Sequence, residues 1–246
     1  MIEARELAKV FHDRKRGEIR AVDGVSFTCG PGRIFGLLGA NGAGKTTTLR
    51  MLATLLAPTG GTAVIAGHDV SAEPQRVRES IGFLTGSTAL YGRLTAREMV
   101  EYFGRLHGLE EAPLRERIET LFTELDMHGF AKGRCDKLST GQKQRVSIAR
   151  SVIHSPPVMI FDEPTTGLDV MTSRTIMRFI EKCRAEGRTV IFSTHIMSEA
   201  ERLCDEIAVI HSGRVVARGT VEQLRAQTGK VALESVFLAL VGEPEE

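Results

Sequence analysis

The stretch Gly39-Ala40-Asn41-Gly42-Ala43-Gly44-Lys45-Thr46 satisfies the pattern G-x-x-x-x-G-K-[ST] without a gap, and it limits the possible folds more than any other part of the chain. The apolar run Ile34-Phe35-Gly36-Leu37-Leu38 before it predicts a buried strand. After it, Leu49, Leu52, Ala53 and Leu56 fall at i, i+3, i+4 and i+7, the spacing of one helix face. A strand, a glycine-rich turn and a helix form a cradle for phosphate. The glycines let backbone N–H groups converge, and the helix N-terminus adds partial positive charge. Lys45 is placed to reach the outer phosphates, Thr46 to ligate Mg²⁺ through its hydroxyl, and Thr47 completes the first turn. The expected ligand is a nucleoside triphosphate.

The flanks predict alternating strands and helices, an α/β fold. Short β pieces are expected at Ile2 to Leu7, Ala21 to Thr28 and Ile34 to Leu38, with His12 to Glu18 as a solvated, basic hairpin loop. Pro58-Thr59-Gly60-Gly61 breaks the chain before a β piece at Thr62 to Ala66. Residues 72–80 read as helix and Ile81 to Leu84 as strand. From about Thr95 to Arg134 the pattern is helical, with Met99, Tyr102, Phe103 and Leu106 expected on one face and Leu114, Ile118, Leu121, Phe122 and Leu125 on the next. At 246 residues the chain could form one large domain or two small ones, and in either case it can bury a sizeable core; the helical stretch reads as a subdomain rather than a linker.

Composition excludes little but helps. The formal net charge is +1, so no global field selects nucleic acid or a membrane surface. Cys29, Cys135, Cys183 and Cys204 are scattered without metal-ligand spacing, which predicts reduced thiols. The N-terminus has no signal-like apolar core, and no run approaches a membrane span.

Three further features carry chemistry. Leu138-Ser139-Thr140-Gly141-Gln142 leads into a helix, and Ser139 with Gln142 three residues on is a capping-box pattern. Val158 to Phe161 reads as a buried strand ending in Asp162-Glu163, two carboxylates at the strand end where parallel sheets bind ligands. A helix from about Ser173 to Glu186 precedes the strand Thr189 to Ser193, which ends at Thr194-His195. A hairpin is expected at Glu206 to Ala217, then helical patterns at Val221 to Arg225 and Leu233 to Val241.

A phosphate loop at 39–46, Leu-Ser-Thr-Gly-Gln at 138–142, Asp162-Glu163 on an apolar strand and His195 at a later strand end stand in the order of the nucleotide-binding subunit of ATP-binding-cassette (ABC) transporters, which this sequence resembles over nearly its whole length. Gly167-Leu168-Asp169 matches the D-loop of that family. The resemblance implies an ATPase using ATP and Mg²⁺, on a P-loop (RecA-like) α/β fold in one domain: a nucleotide-binding core from 1–85 and 153–230 with an antiparallel β subdomain, a helical subdomain over 86–152, and a tail over 231–246. It makes Glu163 the group that polarises the attacking water, His195 a contact to the γ-phosphate, and Thr46 and Asp162 the metal-side residues. Phe11 falls where the family stacks an aromatic on adenine. Ser139, Gly141 and Gln142 would contact the γ-phosphate held by a second copy through an open helix start, and Asp169 of the D-loop is expected among the nucleotide-binding residues. A homodimer closing on ATP follows, together with an integral-membrane permease as partner, a location on the cytoplasmic face of the membrane, and no nucleic-acid ligand.

Two positions depart from the family pattern. Thr140 replaces the first glycine of Leu-Ser-Gly-Gly-Gln, and Gly86 stands where the family has a metal-ligating glutamine. Both departures, with Phe83-Leu84-Thr85-Gly86 and Ser139-Thr140-Gly141, resemble the NatA-like ATPases of bacterial sodium-extrusion transporters. The nucleotide-binding subunit does not contact the cargo, so drug, lipid or polysaccharide exporters fit the same residues. A soluble ABC protein acting on ribosomes or DNA fits less well, because one cassette rather than two is expected and no basic arm exceeds the 12–20 loop.

Overall fold

The computed structural model describes residues 1–13, 17–85 and 89–243. The chain opens with strands β1 (Ile2–Asp13), β2 (Gly17–Cys29) and β3 (Ile34–Leu38), then helix α1 (Lys45–Leu52), β4 (Gly60–Ile65), β5 (His68–Asp69), α2 (Pro74–Ser80) and β6 (Ile81–Leu84). Helices α3 (Ala96–Leu106), α4 (Glu111–Glu124) and α5 (Thr140–Val152) follow. The second half alternates β7 (Val158–Asp162), α6 (Val170–Ala185), β8 (Thr189–Thr194), α7 (Met197–Leu203), β9 (Glu206–His211) and β10 (Arg214–Gly219). Helices α8 (Val221–Thr228) and α9 (Leu233–Val241) close it.

The strands form two sheets. One is antiparallel in the order β2-β1-β4-β5, and the other runs β10-β9-β3-β8-β7-β6. In the second, β9, β3, β8, β7 and β6 are parallel and β10 adds an antiparallel edge. Every residue of β3, β7 and β8 is buried, as expected of parallel strands covered on both faces. Alternate residues go to opposite sides. Ile34, Phe161 and Phe192 join Met99, Phe122, Val146 and Phe179 in a helical layer. Phe35, Ile160 and Ile191 join Ile2, Leu7, Phe27 and Leu49 beneath the antiparallel sheet and α1. A third cluster seats Leu224, Val236 and Phe237 against Ile207 and Val209.

Register decides where the chemistry falls. Leu38 lies opposite Thr194, and Asp162 opposite Ser193. The phosphate loop, the Asp162-Glu163 pair and His195 therefore leave the sheet at one edge, the C-terminal ends of neighbouring parallel strands.

Three local expectations need correction. The hairpin strands extend further than predicted: His12 pairs with Glu18 and Asp13 with Gly17, because a solvated two-stranded ribbon needs backbone pairing but no apolar alternation. Its tip at 14–16 lies outside the described residues. Helix α3 buries Ala96, Met99, Val100 and Gly104 and leaves Tyr102 and Leu106 exposed. The buried stripe is rotated because α4 approaches at Gly104, where any Cβ would collide with Leu114. Helix α6 starts at Val170 rather than Ser173, since the Asp169 carboxylate accepts the N–H groups of Met171 and Thr172 and caps it there.

Candidate nucleotide site

The turn from β3 into α1 is shaped by Gly44, whose φ of 108° few side-chain-bearing residues adopt and whose Cβ would lie 2.6 Å from the Ala21 carbonyl oxygen. No side chain caps α1. The N–H groups of Lys45, Thr46 and Thr47 have no intrahelical acceptor and face outward as an anion site. They border a cavity of about 210 Å³ lined by Ala21, Asn41, Gly42, Gly44, Lys45, Thr46, Thr47 and Glu163. Of the other loop residues, Gly39 and Ala40 contribute carbonyl oxygens, and Ala43 is buried against the core.

Lys45 is buried, and its Nζ donates to Gly39 O (2.7 Å) and Ala40 O (3.1 Å) while standing 3.1 Å from Glu163 Oε1. Glu163 has a φ of 48°, strained for a residue with a side chain. Its N–H reaches Ser193 O at 3.1 Å and Ser193 Oγ at 3.0 Å, and Ser193 Oγ donates in turn to Asp162 Oδ1 at 2.6 Å. One serine thus fixes both carboxylate-bearing residues. Glu163 Oε2 accepts from Thr166 Oγ1 at 3.3 Å and lies 3.2 Å from His195 Nδ1. That nitrogen is close enough for an ion pair but out of line for a hydrogen bond. Burial pushes the Glu163 carboxyl up, but Lys45 first and His195 after it more than offset this and hold it below the usual carboxylate range. The carboxylate is therefore ionised at neutral pH, as a group that polarises water must be.

Among the described residues no cluster of three or more His, Cys, Asp or Glu could hold a metal by itself. Thr46 and the buried Asp162 offer oxygen only, a donor set that suits Mg²⁺ held mainly by phosphate and water.

The second group of predicted residues does not line this cavity. Ser139 Oγ accepts from the Gln142 N–H at 3.3 Å, and Gln142 Oε1 accepts from the Ser139 N–H at 2.9 Å. The capping box is closed, which corrects the expectation of an open helix start: the N–H groups left at the tip of α5 are those of Thr140 and Gly141. Gly141 packs on Thr172, whose Oγ1 donates to Asp169 Oδ2 at 2.7 Å, so the 139–142 segment and Asp169 share one neighbourhood. Phe11 is exposed on the β1–β2 hairpin opposite Ile19, with Lys9 Nζ 5.4 Å from its ring centroid. Gly86 lies outside the described residues.

Sequence reasoning missed several supporting groups. Ser193 is one. Gln144 Nε2 donates to Pro164 O at 2.7 Å and ties α5 to the turn that carries Glu163. Glu199, buried in α7, accepts from Thr165 and Thr194. The available signal was polar residues at buried positions: Ser193 and Thr194 end an apolar strand, and Glu199 sits beside Ala200 on the face of α7 that carries Leu203.

A phosphate loop on a central parallel strand, with a paired lysine and carboxylate beside a histidine on the adjoining strands, defines a P-loop nucleotide-hydrolysing domain. Comparison narrows the class. The family model described as "ABC transporter" matches residues 22–166. The "ABC transporter ATP-binding protein NatA" of Bacillus subtilis (strain 168) is 42% identical over 97% of both chains. The "Nod factor export ATP-binding protein I" of Ralstonia nicotianae is 42% identical over 86% of this chain and 66% of its own length. A solved dimer of the ATP-binding cassette MJ0796, in a post-hydrolysis state with ADP and Pi, superposes with a TM-score of 0.82 at 27% identity, covering 90% of this chain and 99% of that one. The chain belongs to the ABC transporter family, as an ATP-binding subunit with ATPase activity.

Proposed function

We propose that this subunit drives export, of the sodium-efflux type, through a separate integral-membrane permease, by closing as a homodimer on ATP and reopening after hydrolysis. One observation carries the reading: the cavity at the phosphate loop includes none of Ser139, Gly141, Gln142 or Asp169. Each chain holds two half-sites that a second copy can complete head to tail. Beside Asp169, Val170 and Met171 are 72% and 70% exposed, apolar surface on the face that a second copy would cover.

In the closed dimer Lys45 turns from the Gly39 and Ala40 carbonyls and Glu163 to the outer phosphates. The Glu163 carboxylate, released from the ammonium, accepts a proton from the attacking water, and His195 holds the γ-phosphate side of that geometry. The Thr140 and Gly141 N–H groups of the second copy donate to the γ-phosphate, with Ser139 and Gln142 keeping them in place. Phe11 stacks on the adenine. Thr46 and Asp162 would hold Mg²⁺, which would supply charge neutralisation.

The helical part, assigned to 86–152, is the docking region for the permease, while 1–85 and 153–230 form the nucleotide-binding core. A groove of about 270 Å³ lined by Leu55, Phe83, Phe103, His107 and Arg150, among others, supports this, with Tyr102 and Leu106 exposed on α3 beside Phe103. Among the described residues no helix is long and apolar enough to cross a membrane. The reading puts the subunit on the cytoplasmic face, bound peripherally to a separate permease. The similarity to a Nod factor export protein favours a second cargo class, a larger organic solute, on the same machinery.

Glu163→Gln should lower hydrolysis by about 10²–10⁴-fold and accumulate an ATP-dependent dimer in sedimentation velocity. A strict monomer at saturating ATP would overturn the sandwich.

A further inference from the structure

Glu199 plays no part in the chemistry described above, yet it is one of the few buried acidic side chains among the described residues. It sits in the first turn of α7, directly after the turn that carries His195. Its Oε2 accepts two hydroxyl hydrogen bonds, from Thr165 Oγ1 at 2.8 Å and from Thr194 Oγ1 at 3.0 Å. Both threonines are buried. Thr165 lies two residues past Glu163, and Thr194 immediately precedes His195. Thr194 Oγ1 also accepts the Ile196 N–H at 2.9 Å, which fixes the backbone on the far side of His195.

A single carboxylate oxygen therefore joins two strand-end turns whose functional groups, Glu163 Oε2 and His195 Nδ1, stand 3.2 Å apart. Glu163 holds a strained φ that its surroundings must maintain. Burying a carboxylate for two hydroxyl bonds is a poor way to gain stability, because its desolvation offsets most of the gain. What the arrangement does supply is geometry. From the far side the Gln144 amide grips Pro164, so the Glu163 turn is clamped between α5 and α7.

We infer that Glu199 is a positioning residue for hydrolysis: through Thr165 and Thr194 it sets the placement of Glu163 relative to His195. This rests on the assignment of Glu163 and His195 to the hydrolytic step. Misplacing reacting groups by about 1 Å can cost up to about 10²-fold in rate without affecting substrate binding.

The test is steady-state ATP hydrolysis by the purified chain. Glu199→Ala should lower kcat about tenfold with the KM for ATP within about twofold of the parent, the pattern of an interaction expressed only in the transition state. Glu199→Gln keeps an oxygen that can accept both hydroxyls and should return kcat to within about threefold. Thr165→Val and Thr194→Val should each lower kcat, and neither should add fully to Glu199→Ala, because residues in one network couple. If Glu199→Ala does not fold, the two threonine variants and Glu199→Gln carry the test. An unchanged kcat in Glu199→Ala, or in both threonine variants, overturns the inference. So does a joint change of kcat and KM that Glu199→Gln fails to rescue, which marks a merely structural role. Glu163→Gln is the control: full activity there would overturn the site assignment itself, whereas a silent Glu199→Ala beside an inactive Glu163→Gln would overturn only the positioning role.

Discussion

Two glycines of the phosphate loop have positive φ, and only one of them is wedged. Gly42 has a φ of 82° with nothing within 4 Å of where a Cβ would sit. Gly44 has a φ of 108°, with the Ala21 carbonyl oxygen at 2.6 Å and the Gly213 Cα at 3.3 Å from that position. Those neighbours cannot yield easily. The Gly213 N–H donates to Ala43 O at 2.9 Å and its carbonyl accepts the Asp23 N–H at 2.8 Å, so β2, the β9–β10 turn and the loop lock together. Gly42→Ala should therefore cost backbone strain alone, about 1–3 kcal/mol. Gly44→Ala should cost that and about another 1–3 kcal/mol for the overlap. With a slope of about 2–3 kcal/mol/M in urea, the two midpoints should differ by roughly 0.3–1.5 M. Because the displaced element is the start of α1, equilibrium binding of ATP should weaken about tenfold more in Gly44→Ala than in Gly42→Ala. Equal midpoints and equal affinities would refute the claim that the loop is held against Ala21 and Gly213.

Two further predictions concern the helical region. The rings of His107 and His154 stack with centroids 3.8 Å apart, and burial pushes His154 down from its ordinary 6.5 to about 4. Between those values the unfolded chain binds a proton that the folded chain does not, so stability is full above about 6.5 and falls as pH drops towards 4. The urea midpoint of His154→Gln should change less between pH 7 and pH 5 than that of the parent; an unchanged pH slope would contradict this. Ser139→Ala opens the box at the start of α5 and should cost about 1 kcal/mol, whereas Ser139→Gly should cost only a few tenths, and equal losses would show that the cap is not the cause.

Much of this site is legible in the sequence because it is local. The phosphate loop needs a strand, a turn and a helix in immediate succession, and Gly39 to Thr47 supply the turn and helix start beside an apolar run. Asp162, Glu163 and His195 are legible for the same reason: polar residues at the ends of strands with an apolar, buried run mark the binding edge of a parallel sheet. Glu199, Ser193 and Gln144 were missed because their partners lie 5 to 34 residues away, brought together by strand register for Ser193 and by the packing of α7 and α5 against the strand ends for Glu199 and Gln144. The burial of α3 was misread because Tyr102 and Leu106 satisfy helical periodicity on a flank, while the true contact runs through Gly104, which carries no hydrophobic signal. The capping box at Ser139 was readable, but its consequence for an anion was not, since closing it removes donors that an open helix start would offer.

The central claim is that the phosphate loop of one copy is completed by the 139–142 segment of another. Mixing a Lys45→Ala chain with a Ser139→Arg chain, each inactive alone, tests it directly. In a head-to-tail pair one site then carries both defects and the other carries neither. Random pairing makes half of the dimers mixed, with one intact site of two, so ATP hydrolysis should return to about a quarter of the parent rate. Activity no greater than the sum of the two variants alone would contradict the account.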